Sequence, residues 1–212
     1  PFFNEEESLI PLHNEIKDAL SSDMSYEIIF IDDGSTDQSN NKIKKIISID
    51  NRVSLITLSK NQGKSNALNI GFQHSRGDIV VTMDADLQDD PREISNLIEK
   101  LNEGWDVVSG WKIKRNDPIS KTFPSKIFNF IVRWSSGIKI HDFNCGLKAY
   151  KSKVIKSLNI YGGLHRFIPY LVASKGFRVT EIPVNHRVRE FGDSKYGGSR
   201  MFKGFFDFLS VL

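Results

Sequence analysis

Ile79-Val80-Val81-Thr82-Met83-Asp84-Ala85-Asp86-Leu87-Gln88 is an apolar run that ends in two acids one residue apart. The run reads as a buried strand. Alternate side chains of a strand share a face, so Asp84 and Asp86 are expected to converge at its carboxyl end, with Gln88 in reach as a neutral oxygen ligand. Carboxylate and carbonyl oxygens suit Mg²⁺ or Mn²⁺, hard cations that keep some waters and complete their shell with substrate phosphates. The stretch therefore reads as a place to hold a diphosphate. Its plainer reading is a solvated acidic turn after a strand, because Asp is common in turns.

Outward from this stretch, strands and helices alternate. Residues 26–31, 53–58, 78–82 and 106–110 are short apolar runs that read as strands buried on both faces, and 146–150 reads as a further strand. Residues 8–20, 36–49, 64–74 and 91–102 carry helical periodicity. Pro91 stands where a first helical turn tolerates it, and Asp89 and Asp90 before it suit the positive end of that helix. The spacing predicts an α/β fold: a mostly parallel sheet with helices on both faces. Ligands of such sheets bind at the carboxyl ends of the strands.

Composition narrows the possibilities. The 212 residues, 39% of them hydrophobic, can bury one substantial core, so one domain is expected. A net charge of +3 makes no global case for a nucleic-acid partner. Cys145 is the only cysteine, which excludes a disulfide or a cysteine-based zinc site within one chain. No stretch of these residues reads as a signal peptide, and no run reaches the roughly 18 apolar residues of a membrane-spanning helix. The opening Pro1-Phe2-Phe3-Asn4 and the increasingly apolar close read as cut points in a longer protein, with the strand leading into Pro1 removed. A catalytic domain is expected over residues 1–200 and an amphipathic, membrane-proximal segment over 201–212, where Phe202, Phe205, Phe206, Leu209 and Leu212 recur at helical spacing.

Two more loops fall at the expected ligand edge. Strand 26–31 runs into Asp32-Asp33-Gly34-Ser35-Thr36-Asp37. Asp32 or Asp33 can accept from a base N–H or a ribose hydroxyl, Gly34 permits the turn, and one of Ser35, Thr36 or Asp37 can cap the next helix. The second loop, Asn61-Gln62-Gly63-Lys64-Ser65, imitates the end of a phosphate-binding P-loop, but that motif needs a glycine at position 58, which is Leu58. What survives is a flexible turn opening a helix, with Lys64 able to meet an anion.

Taken in order, Pro1-Phe2-Phe3-Asn4-Glu5, Ile31 to Asp37, Asn61 to Lys64, Asp84 to Gln88 and Asp142-Phe143-Asn144-Cys145-Gly146 resemble family 2 glycosyltransferases, in particular the dolichyl-phosphate mannose synthase and polyprenyl-phosphate glycosyltransferase branch. The resemblance covers essentially the whole chain. It implies a GT-A (Rossmann-like) fold that transfers a hexose, with inversion, from a UDP- or GDP-sugar to a polyprenyl or dolichyl phosphate on the cytoplasmic face of a membrane. It also implies a Mg²⁺ or Mn²⁺ cofactor. By position, Pro1, Phe3, Glu5, Asp32 or Asp33, Gly63, Lys64, Asp84 and Ala85 would bind the donor nucleotide. Asp84, Asp86 and Gln88 would hold the metal. Many relatives carry Tyr at the position of Phe3.

The mechanism read from these residues is electrostatic: a divalent cation and Lys64 stabilise charge on the departing diphosphate. Asp142 matches the family's base, although an acceptor phosphate is already ionised near neutral pH and an orienting role is equally open. A turn-capping role for Asp142 is the plainer reading, and His141 is expected to pack rather than ligate. From 175 to 203, seven basic residues face three acidic ones, and 186–197 looks like the family's mobile loop, whose Arg187 and Lys195 would meet the diphosphate. Arg115 or Lys126 could bind the acceptor phosphate. Two rivals remain: a sugar-hydroxyl acceptor in polysaccharide or glycolipid synthesis, for which the expected Gln/Arg-x-x-Arg-Trp motif is absent, and a non-catalytic nucleotide-sugar-binding module.

Overall fold

The computed structural model describes residues 1–20, 24–113, 133 and 138–192. In chain order its elements are α1 (Leu9–Ala19), β1 (Ile28–Asp32), α2 (Ser39–Ile47), β2 (Val53–Thr57), α3 (Lys64–His74), β3 (Ile79–Thr82), α4 (Glu93–Asn102), β4 (Val107–Trp111), β5 (Lys148–Lys151), α5 (Ser152–Lys156), a 3-10 turn (Leu164–Phe167), α6 (Ile168–Ser174) and β6 (Val179–Pro183). Arg115, Lys126, Lys195 and the segment 201–212 lie outside the described residues. No helix among the described residues is long and apolar enough to cross a membrane.

β1 and β2 pair in parallel, from Ile28 opposite Val53 to Asp32 opposite Thr57. The other four strands lie in the order β3-β5-β4-β6; β4 and β6 are parallel, while β5 runs antiparallel to both its neighbours. The direction of β5 follows from where the chain comes from. β4 leaves the sheet at the ligand edge, and β5 re-enters from that same edge, so it must run backwards. That reversal keeps the loop 142–146 beside the loops that follow β1 and β3.

Helices cover both faces of the larger sheet, as the strand–helix alternation requires. On one face Leu97 and Leu101 of α4 pack on Val108, Leu147 and Ala149. Each of these two leucines is fully buried, contributing about 2 kcal/mol of burial free energy. On the other face Phe72 of α3, Val154 of α5, Phe167 and Ile168 pack on Val107 and Tyr150, with the Phe72 and Tyr150 rings edge to face at 5.5 Å. Adjacent residues Ala149 and Tyr150 thus serve opposite faces, as strand alternation dictates. α1 and α2 cover β1 and β2 through Leu9, Leu12, Ile43 and Ile46, and Ala85 and Leu87 join that cluster.

β1 and β3 share no ladder. Between them, with α1, α3 and α4 as the other walls, lies a mainly apolar cavity of about 470 Å³. At its end Phe2 pairs in parallel with Asp32, donating to the Ile31 carbonyl and accepting from Asp33 N, both at 2.9 Å.

Candidate active site

The carboxyl ends of β1 and β3 open onto a crevice of about 140 Å³. One part of its wall is Pro1, Phe3, Glu5, Asp33 and Gly63; the other is Lys64, Asp84, Ala85 and Asp86. These nine residues, separated by up to 85 positions in sequence, were all read as site residues from the sequence. Phe2, Asn61 and Arg189 also line the crevice.

The loop after β1 is held by its own acids. Asp33 accepts the backbone N–H groups of Gln62 at 2.7 Å and Gly63 at 2.9 Å, one on each oxygen, and so fixes the turn that opens α3. Asp32 accepts Ser35 N at 2.8 Å and Asn40 Nδ2 at 3.2 Å and does not line the crevice. Of the two adjacent acids, then, Asp33 faces the ligand edge and Asp32 builds the turn. Gly34 sits at φ +76°, and a Cβ there would lie 2.5 Å from the Lys60 carbonyl carbon. Only glycine fits that contact and that backbone region.

The acidic stretch departs from the strand expectation. β3 ends at Thr82, and Leu87 adopts φ +62°, so residues 83–88 form a turn. Burial of Ala85 and Leu87, rather than strand alternation, aims Asp84 and Asp86 at the crevice. Gln88 bridges to a second chain segment. Its backbone carbonyl accepts Arg187 N at 2.9 Å and its side-chain amide donates to the Arg187 carbonyl at 3.3 Å. Gln88 N also donates to Asp86 Oδ1 at 3.2 Å, and Gln88 does not line the crevice. Among the described residues no group of three or more His, Cys, Asp or Glu side chains is arranged to hold a metal ion.

Each acid of the pair has a cation. Lys64 Nζ, at the first residue of α3, pairs with Asp84 Oδ1, and Arg189 Nη1 pairs with Asp86 Oδ2 at 2.9 Å. Burial pushes the Asp84 carboxyl up, but Lys64 and Lys112 overcome it and hold Asp84 well below the usual carboxylate range. Asp86 goes the other way: burial, then repulsion from Asp84 and Asp89, raise it to about 6. Beneath them lies Asp89, fully buried, which accepts Asp84 N at 3.2 Å and pairs with Lys112 Nζ at 2.8 Å.

The loop leading into β5 closes the floor. Thr82 Oγ1 donates to the Gly146 carbonyl at 2.9 Å, and a Cβ on Gly146 would overlap the Asp84 carboxylate. Asp142 is buried, accepts Asn144 N at 3.0 Å in a turn, and does not line the crevice. Lys148, buried within β5, donates to the Cys145 carbonyl, and its charge is felt together with those of Asp142, Asp84 and Lys64; burial lowers its pKa. A lysine inside the apolar run 146–150 was the available signal for it. His141 stacks on Trp111, centroids 4.2 Å apart, and bonds to Glu181, so it packs as expected. Behind Lys64, Ser65 Oγ meets His165 Nδ1 at 2.8 Å; burial and the Lys64 charge hold that imidazole well below its usual pKa.

Arg187 lies on the far side of the acidic turn from Arg189's pair with Asp86. Its guanidinium reaches Glu15 on α1 at 2.6 Å and the Asp89 carbonyl at 3.0 Å, and it does not line the crevice. Pinned to Gln88 through its backbone, Arg187 is drawn toward α1, and Arg189 is the arginine that enters the site.

An α/β scaffold whose strand ends bring two acids, a lysine and an arginine into one crevice is of the GT-A class. Residues 1–158 match the model of the family described as Glycosyl transferase family 2, and the chain belongs to that family. It is 37% identical over 218 residues to dodecaprenyl-phosphate galacturonate synthase of Rhizobium johnstonii, covering 100% of this chain and 64% of that protein. It is 39% identical over 214 residues to undecaprenyl-phosphate 4-deoxy-4-formamido-L-arabinose transferase of Shewanella sediminis, covering 100% and 65%. The chain thus spans slightly under two thirds of the length of these curated relatives. Among solved structures it resembles Mycobacterium tuberculosis glucosyl-3-phosphoglycerate synthase in complex with Mn²⁺ and UDP-glucose, with a TM-score of 0.77 at 20% identity, covering 100% of this chain and 76% of that one. A mannosyltransferase from Pyrobaculum calidifontis in complex with GDP-Man and Mn²⁺ gives 0.64 at 22%, covering 86% and 53%. At these identities the likeness speaks to the fold.

Proposed function

We propose that this chain transfers a glycosyl group, with inversion, from a nucleotide-diphosphate sugar to a polyprenyl phosphate at the cytoplasmic face of a membrane. The observation that carries the reading is the crevice itself, where Asp84, Asp86, Lys64 and Arg189 meet beside Phe3 and Asp33 at the carboxyl ends of β1 and β3. Polyprenyl phosphate is the acceptor named in both curated relatives, and the solved relatives hold UDP- or GDP-sugars. The sugar is a hexose derivative or a modified pentose, since the names include a galacturonate and a formamido-arabinose.

A divalent cation fits the residues present. Two carboxylates that line the crevice, one of them pushed up by burial and then by its neighbours' negative charge, form a hard oxygen donor set. Asp84 and Asp86 would hold Mg²⁺ or Mn²⁺, which supplies charge neutralisation at a diphosphate when bound. Lys64 is close enough to Asp84 to turn from it to an anionic leaving group, at the amino end of α3 where negative charge is favoured. Phe3 and Asp33 offer an aromatic edge and a carboxylate for the nucleoside. Asp142, behind Gly146, orients or deprotonates the acceptor.

The test is transfer to undecaprenyl phosphate across a panel of UDP- and GDP-sugars with Mn²⁺, read as labelled glycolipid. Product with at least one donor is the expected result. Asp142→Asn is expected to lose most transfer while donor binding, followed by thermal shift, stays intact. Near-normal turnover in that variant would remove Asp142 from the chemistry, and no lipid product with any donor would remove the acceptor.

A further inference from the structure

The two acids of the crevice are each occupied by a side chain from elsewhere, Asp84 by Lys64 and Asp86 by Arg189. Arg189 spends its whole guanidinium here. Nη1 bonds Asp86 Oδ2 at 2.9 Å, Nη2 bonds Glu5 Oε1 at 2.6 Å, and Nε donates to the Phe191 carbonyl at 2.8 Å. The three charged side chains are largely buried, at 16% exposure for Arg189 and Asp86 and 12% for Glu5. Phe191 packs on the α1/β1 core beside Ala85 and Leu87, anchoring the clasp to the same cluster that seats the acidic turn. Charge-assisted hydrogen bonds are among the stronger ones in proteins.

The other Asp86 oxygen already accepts Gln88 N at 3.2 Å, so the oxygen held by Arg189 is the one that faces away from its own turn. A divalent cation on Asp86 would sit beside the guanidinium. Two cationic groups at such short range repel each other. They do not share one carboxylate comfortably.

We propose that Arg189 is a resident counter-ion that competes with the divalent cation for Asp86, so that the cation-free site is latched shut across Glu5, Arg189 and Asp86 and opens when the cation binds. This rests on the reading of Asp84 and Asp86 as cation ligands. Its consequence is a sign opposite to that of an ordinary supporting residue: removing Arg189 strengthens cation binding in the absence of nucleotide.

Mn²⁺ binding to the 212-residue chain, measured without nucleotide by electron paramagnetic resonance of the free ion, tests it. Arg189→Gln is expected to bind Mn²⁺ about tenfold more tightly than the unaltered chain, and Arg189→Lys, which keeps the charge but loses the fork, to fall between them. In the unaltered chain Mn²⁺ alone is expected to raise the reactivity of Arg189 toward phenylglyoxal, mapped by peptide mass; a purely structural arginine would not respond. Equal or weaker Mn²⁺ binding in Arg189→Gln, with the unaltered chain still binding Mn²⁺ and Asp86→Asn not, overturns the latch and leaves the cation reading standing. Should Arg189→Gln fail to fold, Arg189→Lys and the phenylglyoxal response decide the matter. No Mn²⁺ binding by the unaltered chain, or binding untouched by Asp86→Asn, overturns the cation reading and the latch with it.

Discussion

The loops after β1 and β3 both carry adjacent or near-adjacent acids and both border one crevice, yet they are held by different means. After β1, the carboxylates of Asp32, Asp33 and Asp37 are bound chiefly by backbone N–H groups: Ser35 for Asp32, Gln62 and Gly63 for Asp33, Ser39 and Glu6 for Asp37. After β3, Asp84, Asp86 and Asp89 are held by the distant side chains Lys64, Arg189 and Lys112. A backbone donor cannot leave without unfolding its segment, whereas a flexible cationic side chain can be exchanged for another cation. The first loop is a fixed wall and the second an exchangeable one.

The fixed wall should fail under the smallest steric insult. Gly34→Ala puts a methyl into the Lys60 backbone at a left-handed φ and is expected to cost about 4 kcal/mol, read by urea denaturation; a loss under about 1 kcal/mol would mean the two loops are free to separate. Next in size, Lys112→Met strands the buried Asp89 charge and should cost about 3 kcal/mol, with Asp89→Asn added on top recovering part of it.

A third change separates stability from function in the exchangeable wall. Because the folded Asp86 pKa is raised to about 6, its contribution to stability is full below the unfolded value of 3.8 and lost as pH rises through 6. Asp86→Asn is therefore expected to stabilise the cation-free chain by about 2 kcal/mol at pH 7.5 while abolishing transfer, and the gain should vanish below pH 4. Melting temperatures of both chains across that range are the check, and destabilisation at pH 7.5 would show that the Arg189 pair outweighs the repulsion. The smallest effect is expected at Arg187→Ala: its pair with Glu15 is partly exposed, so about 1 kcal/mol or less of stability and little change in turnover should result.

Much of this arrangement was legible in the residues. Helix α3 begins and ends where the periodicity from Lys64 to His74 does, and the five expected strands differ from β1 to β5 only at their ends, whereas β6 carries no expected strand. Local signals suffice there because apolar spacing and turn residues act within a few positions. Strand direction is different: nothing within 146–150 tells that β5 runs backwards, since that depends on where the chain re-enters the sheet. Charged partners were the other illegible part. Arg187 and Arg189 are chemically identical and two residues apart, and only the bridge between Gln88 and Arg187 decides which enters the crevice. Similarly, Asp32 and Asp33 divide their work according to which faces residues 62 and 63, a contact made by chain segments nearly 30 positions away. The roles read for Arg115, Lys126 and Lys195 fall outside the described residues.

Gly146 has no side chain, and the space a methyl would take is filled by Asp84. The absence of an atom makes the loop 142–146 and the acid turn a single party wall. Whatever leans on that loop from the β5 side bears directly on a carboxylate that faces the opposite room. A small push on that loop is thus felt at the carboxylate, with no helix swinging and no hinge turning.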